Sequence, residues 1–121
     1  MARLARVSAQ IGCNGFFAFV LADPGDEFTA HGRMFGPAVG IAEDPVTGNA
    51  CGPLGAYLAK HTIISIAKDE TAELAVRQGE AMGRPGTVHV KVDRAGDTFR
   101  VRIAGDAVIF FSTTFQLQAG T

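Results

Sequence analysis

Val46-Thr47-Gly48-Asn49-Ala50-Cys51-Gly52-Pro53-Leu54-Gly55-Ala56-Tyr57-Leu58-Ala59 runs without a single charged residue. From Pro53 onward, Leu54, Tyr57 and Leu58 recur at the i, i+3, i+4 spacing of one helix face. Pro53 suits a first helical turn, where its missing N–H costs nothing. Ala56 and Ala59 leave the other faces apolar as well, so the segment predicts a helix buried nearly all round rather than one lying on a surface. The rest of the chain must enclose it.

Downstream the period changes from helical to two-residue. Leu74 and Val76 alternate with Glu73, Ala75 and Arg77; Val88, Val90 and Val92 alternate with His89, Lys91 and Asp93; Phe99, Val101 and Ile103 alternate with Arg100 and Arg102. Each run reads as a strand with one wet face. Ala95-Gly96-Asp97 joins the last two as a hairpin, and Val108 to Phe111 with Phe115 and Leu117 adds one or two further short strands. Upstream, Phe16 to Leu21 reads as a strand ended by the turn Asp23-Pro24-Gly25-Asp26, and Phe28 to Phe35 as a second. Gly36-Pro37 then opens a loop to Gly48. Residues 1–14 show no clear period and read as an ordered or partly frayed leader. The sum is one α+β domain over residues 1–121: a strongly curved, mostly antiparallel and barrel-like sheet wrapped around one central buried helix.

At 47 % hydrophobic, 121 residues suffice for a core without disulfides or metals. A net charge of -1 with no basic cluster argues against nucleic acid as a partner. Cys13 and Cys51 stand alone in sequence, which fits a reducing compartment and makes the cytoplasm the default. His31, His61 and His89 are too scattered for a metal site. Arg3 and Arg6 ahead of Gly15 to Ala22 could be mistaken for a short secretory signal, but Ser8, Gln10 and Asn14 dilute the stretch, and no apolar run reaches the roughly 20 residues of a membrane span.

Chemistry is expected where Glu43 and Asp44 precede the glycine-bearing turn into the helix. Free amides from about Gly48 to Gly52, Asn49 and Ala50 among them, together with the helix dipole, make an anion site for a carboxylate. Asp44, held by Pro45, would stand beside the bound acid, where it could bond an amino or hydroxyl group or move a proton. The plain alternative is that Asp44 and Asn49 only cap a structural helix. Glu43 is expected to order the loop.

Glu43-Asp44-Pro45-Val46-Thr47-Gly48-Asn49-Ala50, followed by Gly52-Pro53-Leu54-Gly55-Ala56-Tyr57-Leu58, closely resembles the hallmark of the PhzF-like (phenazine biosynthesis-like) family, Glu-Asp-Pro-x-Thr-Gly-Ser-Ala. Arg33-Met34-Phe35-Gly36-Pro37 before it and Gln78-Gly79-Glu80-Ala81-Met82-Gly83-Arg84-Pro85-Gly86 after it match in the same order. The resemblance spans roughly Phe16 to Leu117 and implies one half, the C-terminal one, of a diaminopimelate-epimerase-like fold. It also implies isomerase or epimerase chemistry without a cofactor or metal, at a cleft between two halves whose first half carries a glutamate acid/base. Asp44 and Asn49 would face a small amino- or hydroxy-acid-like substrate, with Thr47, Gly48 and Ala50 around it. Asn49 replaces the usual serine, which alters the hydrogen-bonding offered to the substrate.

Ala50-Cys51-Gly52 is similar to the cysteine context of diaminopimelate epimerases, where a helix N-terminus lowers the thiol pKa for proton transfer. Against that stands the reading of Cys51 as a small buried hydrophobe. Arg33 and Arg84 are candidate carboxylate binders, with surface ion pairing as their plain alternative. A lone half would expose cleft surface, so a homodimer or association with an N-terminal half-domain is expected. The rival class is a binding or interaction module that keeps the carboxylate site without turnover.

Overall fold

A computed structural model describes residues 1–117, in the order α1 (Ala2–Ile11), β1 (Phe16–Leu21), β2 (Ala30–Gly36), β3 (Ile41–Asp44), α2 (Gly48–Lys60), β4 (Thr71–Gln78), β5 (Gly86–Ala95) and β6 (Thr98–Ala104). The strands form one six-stranded sheet in the order β1-β2-β4-β5-β6, with β3 branching from β2. Every pairing is antiparallel except β2 with β4, which align Ala30 with Val76 and Gly32 with Gln78. That parallel pair needs a crossover, and β3 with α2 supplies it.

The helix sits against the sheet through glycine. A Cβ on Gly55 would lie 2.8 Å from Val90 Cγ1 and 3.0 Å from Val92 Cγ2, and one on Gly48 would lie 2.4 Å from Ile103 Cδ1. Gly48, Gly52 and Gly55 thus turn one flank of α2 into a flat face on β5 and β6. Leu54 and Leu58 on α2, Leu74 and Val76 on β4, and Val88, Val90 and Val92 on β5 form the buried core. The period-two reading of those strands is met residue for residue, and Gly96 at φ 61 makes the hairpin turn.

Several expectations need correction. The sheet is open, not closed into a barrel: β1 and β6 are its two edges among the described residues. As a result α2 is not enclosed, and Asn49, Pro53, Tyr57 and Lys60 form an exposed ridge along it. The helix also begins five residues before Pro53, at Gly48 after the N-cap Thr47, so Pro53 lies inside it and denies the exposed Asn49 carbonyl its i+4 partner. Val108 to Leu117 forms no strand; Val108, Ile109 and Phe110 are 86–94 % exposed, because a strand exists only with a partner edge and none is paired to it.

Residues 2–11, read only as part of a leader, form a helix whose inner side carries Ser8 and which Gly12 terminates at φ 67. β3, unforeseen in the loop after Gly36, is a four-residue strand bulged against β2. The second strand begins at Ala30 rather than Phe28, since Asp26 takes the Phe28 N–H into a turn at 3.0 Å. Among the described residues no helix is long and apolar enough to cross a membrane.

Candidate active site

β3 ends at Asp44, and Pro45-Val46 leads directly into the N-cap of α2. Gln78, the last residue of β4 and fully buried, determines how that junction is held. Its Oε1 accepts the Thr47 N–H at 3.0 Å and the Cys51 thiol at 3.2 Å, and its Nε2 donates to the Asp44 carbonyl and the Thr47 hydroxyl, both at 3.4 Å. One side chain therefore ties the strand end, the cap and the first helical turn together. Gly79 completes the brace: at φ 79, a Cβ there would meet the Arg84 and Pro45 carbonyl oxygens at 2.1 and 2.9 Å. Gln78 and Gly79 were legible only as part of a matching motif, not as the support of the site.

Thr47 Oγ1 donates to Asp44 Oδ2 at 2.5 Å. Neither plain capping role is met: the cap is Thr47, with no side-chain cap bond, and Asn49 lies within the helix. The Thr47 carbonyl takes the Ala50 and Cys51 amides at 3.2 and 3.1 Å, which narrows the free donors from the expected five to those of Gly48 and Asn49. A helix start with two open N–H groups and a carboxylate one hydroxyl away can hold an acid and, beside it, a hydrogen-bond donor or a mobile proton.

The exposed ridge of α2 separates two apolar grooves of 430 Å³ each. One runs between the helix and β1–β2, lined by Phe17, Phe19, Met34, Leu54 and Tyr57; the other runs between the helix and β6, lined by Phe99, Val101 and Ile103. Asn49 borders both, Ala50 borders the first and Gly48 the second; Asp44 lines neither.

The remaining candidates lie apart. Cys51 points inward, is fully buried, and desolvation pushes its thiol up to about 11, opposite to what a proton-carrying thiolate requires. Arg33 is committed to Glu43 through two hydrogen bonds of 2.9 Å and stacks over Phe35 at 5.1 Å; the pair raises the Arg33 pKa and lowers that of Glu43. Glu43, on β3 rather than in a loop, thus ties that strand to β2. Arg84 lies in a separate cavity behind Pro45-Val46. No group of metal-ligating side chains occurs among the described residues.

The model of the family described as "Phenazine biosynthesis-like protein" matches residues 2–113. The uncharacterized isomerase YddE of Salmonella typhimurium is 49 % identical over 112 residues, covering 92 % of this chain and 37 % of its own length. An uncharacterized isomerase of Clostridium acetobutylicum is 43 % identical over 94 % of this chain and 38 % of its own length. The trans-2,3-dihydro-3-hydroxyanthranilate isomerase of Pseudomonas chlororaphis is 37 % identical over 70 % of this chain. A crystal structure of a Bacillus anthracis phenazine biosynthesis protein of the PhzF family superposes with a TM-score of 0.71 at 30 % identity, covering 84 % of this chain and 34 % of that one. The chain therefore spans under two fifths of the length of the curated relatives it matches first.

Proposed function

Since the chain belongs to the phenazine biosynthesis-like family, whose curated relatives bear the names of isomerases, we propose that it serves the isomerisation or epimerisation of a small amino- or hydroxy-acid-like metabolite by proton transfer at the carbon next to a carboxylate. The substrate carboxylate rests on the Gly48 and Asn49 amides, with Thr47 and Ala50 shaping the first turn and the Asn49 side chain facing the rest of the molecule. Asp44 positions or protonates the substrate. No cofactor or metal takes part. The observation that carries this reading is the Thr47–Asp44 hydrogen bond, braced by Gln78, which keeps a carboxylate beside unpaired helix-start amides.

A carbon acid needs a second proton carrier. Glu43 is locked to Arg33 and Cys51 is buried, so that group comes from another half, either a partner polypeptide or a second copy of this chain. The cytoplasm suits its two free cysteines. The test is solvent-deuterium exchange into a panel of amino and hydroxy acids, comparing the wild type with Asp44→Asn. Exchange that the substitution abolishes is the expected result; exchange that survives it removes Asp44 from the chemistry.

A second reading, a carboxylate-binding module without turnover, is favoured by the same lack of a second proton carrier. It predicts saturable acid binding at the helix start with no exchange for any acid tested.

A further inference from the structure

Outside the helix mouth, the side chains worth attention are Arg77 and Arg84. Leu74, Val76 and Gln78 alternate onto the α2 side of β4, which places Arg77 on the opposite face of the sheet. Its guanidinium lies over the Phe28 ring at 5.2 Å, and one terminal nitrogen donates to Thr87 Oγ1 at 3.1 Å across the β4–β5 pair. These two contacts fix the fork. The Arg77 Nε is buried with no hydrogen-bond partner, so what this side chain offers to its surroundings is the planar pair of terminal nitrogens.

That side chain borders a cavity of 570 Å³, within the range of small-ligand pockets. Arg84, Thr87 and Asp106 line it too, together with Pro45 and Val46 from the back of the site loop. Among the described residues neither Arg77 nor Arg84 forms a salt bridge, and Asp106 pairs with neither. Two arginines against one aspartate leave the cavity cationic.

We propose that this cavity is a second binding site, distinct from the mouth of α2, for a small oxyanion, a carboxylate or phosphate group held between the Arg77 fork and Arg84. The pre-stacked guanidinium supplies the planar paired donors that such a group accepts. Asp106 at the same cavity favours a ligand that carries a hydroxyl or ammonium group besides its anionic end. The Pro45-Val46 wall connects this site to the Asp44 loop, so that an occupant would stiffen the loop from behind.

The test titrates malonate and, separately, inorganic phosphate at constant ionic strength into the nitrogen-15-labelled chain, following the arginine Nε–H resonances. Wild type is compared with Arg84→Ala, Arg77→Lys and Asp44→Asn. A saturable shift of the Arg77 Nε–H is expected, weakened about tenfold or more by Arg84→Ala and unchanged in Asp44→Asn. Arg77→Lys keeps the charge but loses the fork, and binding should fall as far. Tighter binding of malonate assigns a carboxylate, and of phosphate a phosphoryl group. No saturable shift with either anion overturns the proposal, as does affinity indifferent to Arg84→Ala. Loss of binding in Asp44→Asn would place the anion at the α2 start instead. Arg84 is exposed, so its alanine variant keeps the test decisive should Arg77→Lys fail to fold.

Discussion

Gln78 grips Thr47 from two sides, its carbonyl oxygen accepting the threonine amide at 3.0 Å while its amide nitrogen reaches the threonine hydroxyl at 3.4 Å. This grip fixes the register between the end of β4 and the start of α2. It also orients the hydroxyl that Thr47 gives to Asp44.

Gln78→Ala should therefore destabilise the fold by about 2–4 kcal/mol, because it opens a void and strands the Thr47 amide in a dry site. Gln78→Met, which fills the space, should recover the void component and leave the hydrogen-bond loss. Urea denaturation of both variants checks the order; equal stabilities for wild type and Gln78→Met would show that the polar grip contributes nothing.

Gly79 and Gly48 separate two kinds of crowding. At Gly79, alanine meets two backbone carbonyls at a positive φ of 79, and neither can yield; about 3 kcal/mol of destabilisation is expected. At Gly48 the obstacle is the tip of the Ile103 side chain, which can rotate, while alanine gains about 1 kcal/mol of helix propensity. Thermal unfolding should place Gly79→Ala far below Gly48→Ala, and a reversal would mean that the loop after β4 is not built as described.

Cys51 should resist alkylation in the native state while half-buried Cys13 reacts, since only a thiolate attacks and burial pushes the Cys51 thiol up to about 11. Mass spectrometry after a short iodoacetamide pulse at mildly alkaline pH reads the two sites separately. Preferential labelling of Cys51 would restore it as a candidate proton carrier.

A pH effect is expected at His31. The Glu80 carboxylate at 2.9 Å raises its pKa above the ordinary 6.5, outweighing the opposing effect of desolvation, and the Asp26 carboxylate at 3.5 Å adds to the rise. Folding then takes up protons near neutrality: the contribution is complete below pH 6.5 and is lost as pH rises through the folded-state value. The stability gap between wild type and His31→Gln should shrink on going from pH 6 to pH 9, at the order of magnitude of an exposed ion pair. A gap that widens with pH would reverse the assignment.

The strands after residue 70 were readable because each has one wet and one dry face, so Val88, Val90 and Val92 announce themselves by alternation alone. Asp44 and Asn49 stand out because short polar residues ahead of an apolar run mark a helix start, whereas Thr47 is singled out only by the resemblance to the family motif. Three things were not readable. The helix start itself was misplaced, because Gly48 to Gly52 have weak helix propensity and fold as helix only by seating their small faces on β5 and β6. The Gln78 brace depends on contacts 27 to 34 positions away, which no local pattern encodes. The strand expected from Val108 onward has the right composition, yet pairing is a property of two segments, and the second is missing from the described chain.

That last stretch carries a practical consequence. Val108-Ile109-Phe110-Phe111-Ser112-Thr113-Thr114-Phe115 contains no charge and no proline, and it is held open to water. Segments of this kind stack with their own copies as soon as concentration or heat lets them meet. The heating curve of this protein should fail to retrace on cooling, so its durability in the tube is a lifetime set by clumping rather than an equilibrium constant.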